Sequence, residues 1–319
     1  MTRVLLALSA VALVTAAPAP AQEWPAKPVR IVVPYGAGGA ADTLGRVFAD
    51  VLSTALGKQF VVENRPGGGS VVGSEAVARS APDGYTLMLS GMSTHVLAPA
   101  MNKSAGFDPV RDFTHIAYFG GAPNAFVVHP SFGATAFRDF LARAKSETAD
   151  IPYVSPGVGS VGNLVAEYLA AKENIRLTHV PYRGGAAALT DLVAGHVKVG
   201  MMSFSTAREH VRSGKLVPLA MSSAERPKDF PDLPTLKELG YPDLVATTWW
   251  ALSGPAGLPA EIVTRLNTEI NKSLELPQVR KQLEQEEVAT KAMTPAETTA
   301  FLQSEVAKWV PVVARSIAK

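Results

Sequence analysis

The feature that most constrains the fold is a glycine-rich turn between an apolar run and a helical pattern. The segment Gly36–Asp42 follows the run Val29–Val33 and leads into the helical pattern Asp42–Leu56. A strand, a glycine turn and a helix start in this order direct unpaired backbone N–H groups toward an anion. The same arrangement recurs at Ser155–Ser160 and at Tyr182–Gly185. We therefore expect a protein that closes on a small anionic ligand.

Short apolar runs alternate with helical patterns along the rest of the chain. The runs extend from Val29–Val33 to Thr248–Ser253, and the helical patterns from Asp42–Leu56 to Pro295–Trp309. β-branched residues enrich the runs, while Ala, Leu and Glu enrich the helical patterns. This alternation predicts an α/β fold with mostly parallel strands.

The first 21 residues predict an export signal. Arg3 precedes an apolar run over Val4–Ala17, and the small-x-small site at Ala19–Ala21 predicts cleavage after Ala21. The run is too short to span a membrane, which takes about 18 apolar residues or more. We expect an exported, soluble chain in the periplasm.

The remaining sequence is long enough for two domains. The Gly-Gly-Ala-Pro segment Gly120–Pro123 suits a hinge, and Ala220–Ser223 suits the point at which the chain returns. We predict a discontinuous first domain of residues 22–121 and 222–319, and a second domain of residues 122–221.

Composition excludes several classes of protein. The sequence contains no cysteine, which excludes disulfides, thiolate metal sites and cysteine nucleophiles. A formal net charge of +2 provides no basic field for nucleic acid. The sequence has no G-x-S-x-G, Walker or H-E-x-x-H motif, and its histidines lack metal-ligand spacing. We expect no enzyme, no cofactor, no metal and no nucleic-acid partner.

One alternative interpretation is an exported nucleotide-binding oxidoreductase. Gly36, Gly38 and Ala41 fit the dinucleotide fingerprint G-x-G-x-x-G/A, and Glu63 ends the next predicted strand about 20 residues further on. An exported protein rarely meets free nicotinamide cofactors. Binding of another small anion is therefore favoured.

Purely structural interpretations also remain open. The glycine segments suit tight turns, Asp42 suits a helix cap, and Arg183 suits a solvent position. Trp249 and Trp250 suit a core, although one ring would also suit a cleft. The acidic pair Glu286-Glu287 suits a solvated helical face.

A series of motifs follows in order from about Trp24 to the C-terminus. They are Pro28–Tyr35 followed by Gly38-Gly39-x-x-Asp42, Val62–Gly69, Ala81–Leu87, Ser93–His95, His179–Gly184, Ser213–Leu216 and Gly254–Pro259. Each motif alone is modest, but their ordered succession resembles the substrate-binding receptors of tripartite tricarboxylate transporters, the Bug receptors.

The resemblance implies a periplasmic binding protein of type II, with two α/β domains and a ligand cleft, and we expect a monomer. Such proteins bind organic carboxylates and deliver them to a membrane permease. A sensor that passes a ligand signal to a membrane receptor would use the same fold and cleft. The first-domain site residues that we predict are Tyr35, Gly36, Ala37, Gly38, Gly39, Asp42, Ser90 and Ser93. The second-domain site residues are Ser155, Gly157, Gly159, Ser160, Tyr182, Arg183, Gly184, Gly185, Met202 and Ser203.

Three positions depart from the family's pattern. Met202-Ser203 stands where the family often has Asp-Asn, and Asn163 stands where a histidine is common. Gly36-Ala37 replaces prolines that are frequent in the first loop. These departures favour a ligand with a more apolar body, such as an aromatic carboxylate.

Overall fold

A computed structural model describes residues 23–102 and 105–317 of the chain. The predicted export signal and its cleavage site lie outside the described residues. The described part forms nine strands: β1 Val29–Val33, β2 Phe60–Asn64, β3 Thr86–Gly91, β4 Phe113–Val128, β5 Ile151–Ser155, β6 Leu177–Pro181, β7 Val199–Ser203, β8 Val217–Met221 and β9 Thr247–Pro255.

Ten helices accompany these strands in the described residues. They are α1 Ala40–Leu56, α2 Val71–Ala78, α3 Ala98–Met101, α4 Phe137–Ser146, α5 Val161–Glu173, α6 Gly185–Val193, α7 Phe204–Arg212, α8 Ala260–Ser273, α9 Pro277–Gln285 and α10 Pro295–Ile317. A π-helical turn over Ser93–Leu97 leads into α3. No helix in the described ranges is both long and apolar enough to cross a membrane.

The strands divide into two lobes that share β4. The first lobe has the strand order β2-β1-β3-β9 followed by residues 113–123 of β4. In the second lobe, residues 124–128 of β4 pair with β7 and β8, and β5 and β6 follow β7. The fold is therefore α/β with two lobes, as predicted.

The sheet is mixed, whereas the sequence pattern predicted mostly parallel strands. Within each lobe the helical crossovers make the pairs β1–β2, β1–β3, β5–β6 and β5–β7 parallel. The connecting strands β4 and β9 run antiparallel to every strand with which they pair. The alternation of strands and helices along the chain predicts the parallel pairs that helical crossovers connect. It does not predict the antiparallel pairing of strands, such as β4 and β9, that connect the two lobes.

The long strand β4 covers two runs that the sequence pattern kept apart, His115–Phe119 and Phe126–His129. The glycines between them remain part of the strand because β9 pairs with β4 as far as Pro123. Gly121 also exchanges two backbone hydrogen bonds with Ala289, at 3.1 and 2.9 Å. Gly120 has a φ of +136°, which favours glycine at this crossing.

The predicted domain boundaries, at 121/122 and 221/222, stay a prediction. The packing of residues 222–246 is relevant to the boundary at 221/222. Ser222 N–H donates to the Asn124 carbonyl of β4, and Leu233 packs in the apolar cluster that contains Ala125. These contacts place the segment with the second lobe. We propose that the chain returns to the first lobe near Thr247, where β9 begins.

Helix α1 shows how the core orients the first glycine turn. Leu44, Phe48 and Leu52 recur every four residues on one face and are fully buried. The Phe48 ring stacks on Phe119 of β4, with 3.8 Å between centroids. Gly57 ends the helix in the left-handed conformation. The N-terminus of α1 faces the second lobe, since a Cβ atom on Gly39 would lie 3.7 Å from the Gly185 nitrogen.

Candidate functional site

A small cavity lies between the two lobes. Its volume is about 60 Å³, enough for only a few water molecules. The lining residues are Tyr35, Gly36, Gly39, Ala40, Ala41, Ser93, Asn124, Pro156, Ser160, Val161, Gly184, Gly185, Ser203, Thr206, Thr248 and Trp250. The lobes are thus in a closed arrangement.

Four helix N-termini converge on this cavity. Helix α1 begins after Gly39, α5 after Ser160, α6 after Gly184 and α7 after Ser203, and each of these residues lines the cavity. The first N–H groups of a helix lack intrahelical partners and carry its positive dipole end. Four such ends favour an anionic ligand group.

None of the described residues that line the cavity carries a charged side chain. Polar side chains contribute hydroxyl groups and the Asn124 amide, while Val161, Pro156 and the Trp250 ring provide apolar surface. Asn124 Nδ2 donates to Thr248 Oγ1 at 2.9 Å, which joins β4 and β9 at the floor. The site therefore offers neutral donors to an anion and apolar contact to its body.

The first glycine loop uses two of its N–H groups within the protein. Gly36 N–H donates to the Arg183 carbonyl of the second lobe at 2.8 Å. Gly38 N–H donates to the Asp42 carboxylate at 3.0 Å. Gly36 and Gly39 line the cavity, whereas Ala37 and Gly38 are exposed and do not.

Asp42 is held inside the first lobe. Its carboxylate also accepts hydrogen bonds from Arg46 and from Asn64 Nδ2, at 3.0 and 2.9 Å. Burial opposes ionisation, but these donors and Gly38 N–H keep the pKa of Asp42 below its usual value. The side chain orders the loop and the first turn of α1, and it does not line the cavity.

The second-lobe loops contribute backbone more than side chains. Ser160 lines the cavity, whereas Ser155 is fully buried beneath the loop. Gly157 and Gly159 have φ values of +145° and +74°, which favour glycine in this tight loop. Neither glycine lines the cavity, although Gly157 borders a groove just outside it.

Tyr182 and Arg183 border that outer groove, and Gly184 and Gly185 line the cavity itself. The Tyr182 hydroxyl donates to Asp191. The Arg183 side chain is exposed, and its backbone carbonyl accepts the Gly36 hydrogen bond. This segment brings the lobes together through backbone atoms.

The remaining predicted residues divide between the core and the cavity. Ser90 Oγ lies 2.7 Å from Ser253 Oγ and is buried in the first-lobe sheet. Ser93 lines the cavity and hydrogen-bonds Tyr35. Met202 is fully buried in the apolar cluster of the second lobe, while the next residue, Ser203, lines the cavity. The thioether of Met202 therefore does not reach the site.

Several lining residues were absent from the sequence-based site. They include the polar residues Asn124, Thr248 and Thr206, and Trp250, which the sequence leaves open between a core and a cleft position. Asn124 could have been predicted from the sequence as a polar residue directly after the predicted hinge segment Gly120–Pro123. Thr248 and Trp250 required the pairing of β9 with β4, which sequence patterns do not show.

Glycines allow the closest approach of the two lobes. A Cβ atom on Gly36 would overlap the Arg183 carbonyl oxygen. A Cβ atom on Gly69 would lie 2.6 Å from the Val158 carbonyl oxygen. Because real Cβ atoms do not approach oxygen so closely, these two positions require glycine in the closed arrangement.

An ion pair joins the lobes on another flank of the cavity. Glu287, which follows α9 in the first lobe, lies with Oε1 2.8 Å from Arg208 Nη1 of α7. Both side chains are largely buried. The sequence pattern placed Glu286-Glu287 on a solvated face. That prediction is wrong, since both carboxyl groups pack between the lobes beyond the end of α9.

The buried Glu287 leads to a pH-dependent prediction. Burial raises the pKa of Glu287 to about 7 from an ordinary 4.5, despite the Arg208 guanidinium. A carboxyl with a raised folded-state pKa contributes its full stability below 4.5, and this contribution is lost as the pH rises through about 7. Glu287→Gln should abolish that loss, on the order of 1 kcal/mol. Thermal melts of both proteins from pH 5 to pH 8 measure it.

Glu284→Gln, an exposed position at the end of α9, is the control and should retain the wild-type pH profile. An identical pH profile in Glu287→Gln and the wild type would contradict the prediction.

Two α/β lobes that close on a cavity between them define a solute-binding protein of the periplasmic binding protein type II kind. A family model described as "Tripartite tricarboxylate transporter family receptor" matches residues 44–317. Because that match covers most of the chain, the protein belongs to this family, which includes the Bug receptors. Members of the family are solute-binding receptors and not enzymes.

Three relatives agree with the family match. BugT of Bordetella pertussis is 33% identical, with 100% of this chain and 99% of BugT aligned. A solved R. palustris protein with adipate has a TM-score of 0.86 at 30% identity, covering 92% of this chain and 98% of that protein. MatC from Rhodopseudomonas palustris, with bound malate, has a TM-score of 0.86 at 29% identity, covering 91% and 100%.

Proposed function

We propose that this protein is a periplasmic receptor that captures a small organic carboxylate between its lobes and delivers it to a tripartite tricarboxylate-type permease. The main support for this proposal is the arrangement of the cavity: four helix N-termini surround it, and no described lining residue is charged. Dipolar N–H groups bind a carboxylate without a fixed countercharge, which suits reversible capture. The adipate and malate in two solved relatives are ligands of this class.

The proposal includes movement of the lobes about β4 and β9. Strand β4 crosses from one lobe to the other, β9 begins at that crossing, and Asn124 and Thr248 join the two strands at the cavity floor. A ligand that contacts both walls shifts the equilibrium toward the closed form by its differential contacts. Opening would break the Gly36–Arg183 hydrogen bond and expose the cavity.

The remaining elements of the proposed function concern location and partners. We propose that the mature chain, cleaved after Ala21, is located in the periplasm and is a monomer. The permease partner is inferred from the family. The dinucleotide alternative receives no support at Gly36 and Gly38, whose N–H groups have partners within the protein, or at Glu63, which pairs with Arg30 at 3.1 Å.

The test is a thermal-shift screen of residues 22–319, followed by calorimetric titration of each hit. The panel contains malate, adipate, tricarboxylates, aromatic acids, amino acids and dinucleotides. A ligand at 100 times its Kd should add about 2.7 kcal/mol of stability, a shift of a few degrees. A carboxylate hit supports the proposal. A response to dinucleotides alone would overturn it.

We expect the exposed Arg183 side chain to contribute little to affinity. Its guanidinium does not line the cavity, and the main contact of this residue is its backbone carbonyl. Arg183→Ala should change the Kd of a bound carboxylate by less than about threefold, because exposed charges at a rim affect mainly association rates. Titrations at low and high salt measure this. A loss above tenfold would place the guanidinium on the ligand.

A further inference from the structure

A connected group of polar side chains supports the Ser155–Ser160 loop of the second lobe. It contains Asn163 of α5, Tyr153 of β5 and His179 of β6, none of which lines the cavity. The His179 ring stacks on Tyr153, with 4.9 Å between centroids.

Two contacts determine the orientation of the Asn163 amide. Gly159 N–H lies 3.2 Å from Oδ1 and requires an acceptor there. Tyr153 donates its hydroxyl hydrogen to Glu167 at 2.6 Å, so its oxygen accepts from Asn163 Nδ2 at 2.7 Å. Burial and the adjacent Glu167 carboxylate raise the pKa of Tyr153, which keeps the hydroxyl protonated. The oxygen of Asn163 therefore faces the loop and its nitrogen faces Tyr153.

The amide in turn determines the tautomer of His179. Asn163 Nδ2 lies 3.4 Å from His179 Nδ1, and because the amide nitrogen can only donate, Nδ1 must accept. Burial lowers the pKa of His179 to about 4, so the ring is neutral at pH 7. Its single hydrogen is then on Nε2, which donates to Ser155 Oγ at 2.7 Å.

This tautomer of His179 determines which hydrogen bonds the hydroxyl groups of Ser155 and Ser160 make. Ser155 accepts from His179 and, at 3.2 Å, from Gly157 N–H, and it directs its own hydrogen to the Gly157 carbonyl at 3.1 Å. Ser160 donates to Ser155 at 3.2 Å and accepts from Asn163 N–H at 3.1 Å. Ser160 lines the cavity, yet its hydroxyl hydrogen is already used.

We propose that Asn163 and His179 are positioning residues of the binding site, which hold the Ser155–Ser160 loop so that its hydroxyl hydrogens stay within the protein and the start of α5 presents backbone N–H groups to the ligand. The inference rests on the proposed function and assigns a role to residues that do not touch the ligand. The start of α5 at Val161 then supplies donors beside those of α6 and α7, and the Asn163 amide orients His179.

The first test needs no ligand. Nitrogen NMR of the ¹⁵N-histidine-labelled protein at pH 7 should show His179 with a protonated Nε2 and an unprotonated Nδ1. Asn163→Ala should convert this signal into a mixture of tautomers, because the amide that selects one is gone. A protonated Nδ1 in the wild type would overturn the inference.

The second test compares two substitutions of His179. In His179→Gln the side-chain amide nitrogen takes the place of the ring Nε2, whereas the shorter side chain in His179→Asn does not reach Ser155. With malate and adipate as probes, His179→Asn should raise the Kd about tenfold, the equivalent of one hydrogen bond, and His179→Gln should stay within about threefold of the wild type. His196→Ala, at an exposed histidine of the same lobe, is the control.

The outcomes separate this inference from the proposed function. Equal Kd values for His179→Asn, His179→Gln and the wild type, with melting temperatures unchanged, would overturn the inference and leave the receptor proposal intact. If the wild type bound no carboxylate in the full panel, the receptor proposal would fail, and the tautomer measurement would still decide the role of Asn163.

Discussion

Gly36→Ala is expected to weaken ligand binding strongly without destabilising the ligand-free protein. The added Cβ would overlap the Arg183 carbonyl oxygen of the second lobe only when the lobes close. The substitution also disturbs the 2.8 Å hydrogen bond between Gly36 N–H and that oxygen. Overpacking of this kind costs about 1–3 kcal/mol, roughly 5- to 150-fold in Kd.

Calorimetric titration with malate and adipate measures the loss, and urea unfolding of the ligand-free protein measures stability. Gly106→Ala is the matched control, because its Cβ would meet only the flexible side-chain ends of Arg79 and Glu75 and Gly106 does not line the cavity. If Gly36→Ala bound as tightly as the wild type, the lobes of the complex would not approach each other as they do in this structure.

We expect substitution of the two adjacent tryptophans, Trp249 and Trp250, to have large and different effects. Trp249 is 1% exposed, packs on Phe301 with 5.2 Å between ring centroids, and donates from Nε1 to Glu305 at 3.0 Å. Trp249→Ala should lower the free energy of unfolding by about 3–5 kcal/mol, as for other buried tryptophans. Urea unfolding monitored by circular dichroism measures the change.

Trp250 lies on the opposite face of the strand and lines the cavity. Trp250→Ala should therefore reduce carboxylate affinity as well as stability, since the ring provides apolar surface to the ligand. Titration at a temperature where both variants are folded separates the effects. A larger loss of affinity in Trp249→Ala than in Trp250→Ala would reverse the assignment of the two faces.

The buried Glu287 illustrates a limit of sequence patterns. A Glu-Glu pair after a charged helix predicts a solvated face, because most such pairs are exposed. Here α9 ends at Gln285, and Glu287 reaches Arg208 of α7, which lies far away in sequence. Only the packing of one lobe against the other removes this carboxyl from water.

The glycine segments illustrate what local sequence does predict. A strand followed by a glycine turn and a helical pattern predicted the starts of α1, α5 and α6 to within about two residues, because turn and cap preferences act between near neighbours. The two-lobed α/β fold and the family were predicted from the same motifs, and both were confirmed.

The particular contacts of the site depended on tertiary structure. Met202 and Ser203 are neighbours, yet one side chain enters the core and the other reaches the cavity, since β7 exposes alternate faces. The sequence by itself determined where helices begin, and therefore which N–H groups of a first turn lack an intrahelical partner. The pairing of β4 with β9 decided which side chains form the cavity floor, and closure of the lobes decided which N–H groups remain for a ligand. Only the tertiary structure decides these two features, because both depend on contacts between residues far apart in the chain.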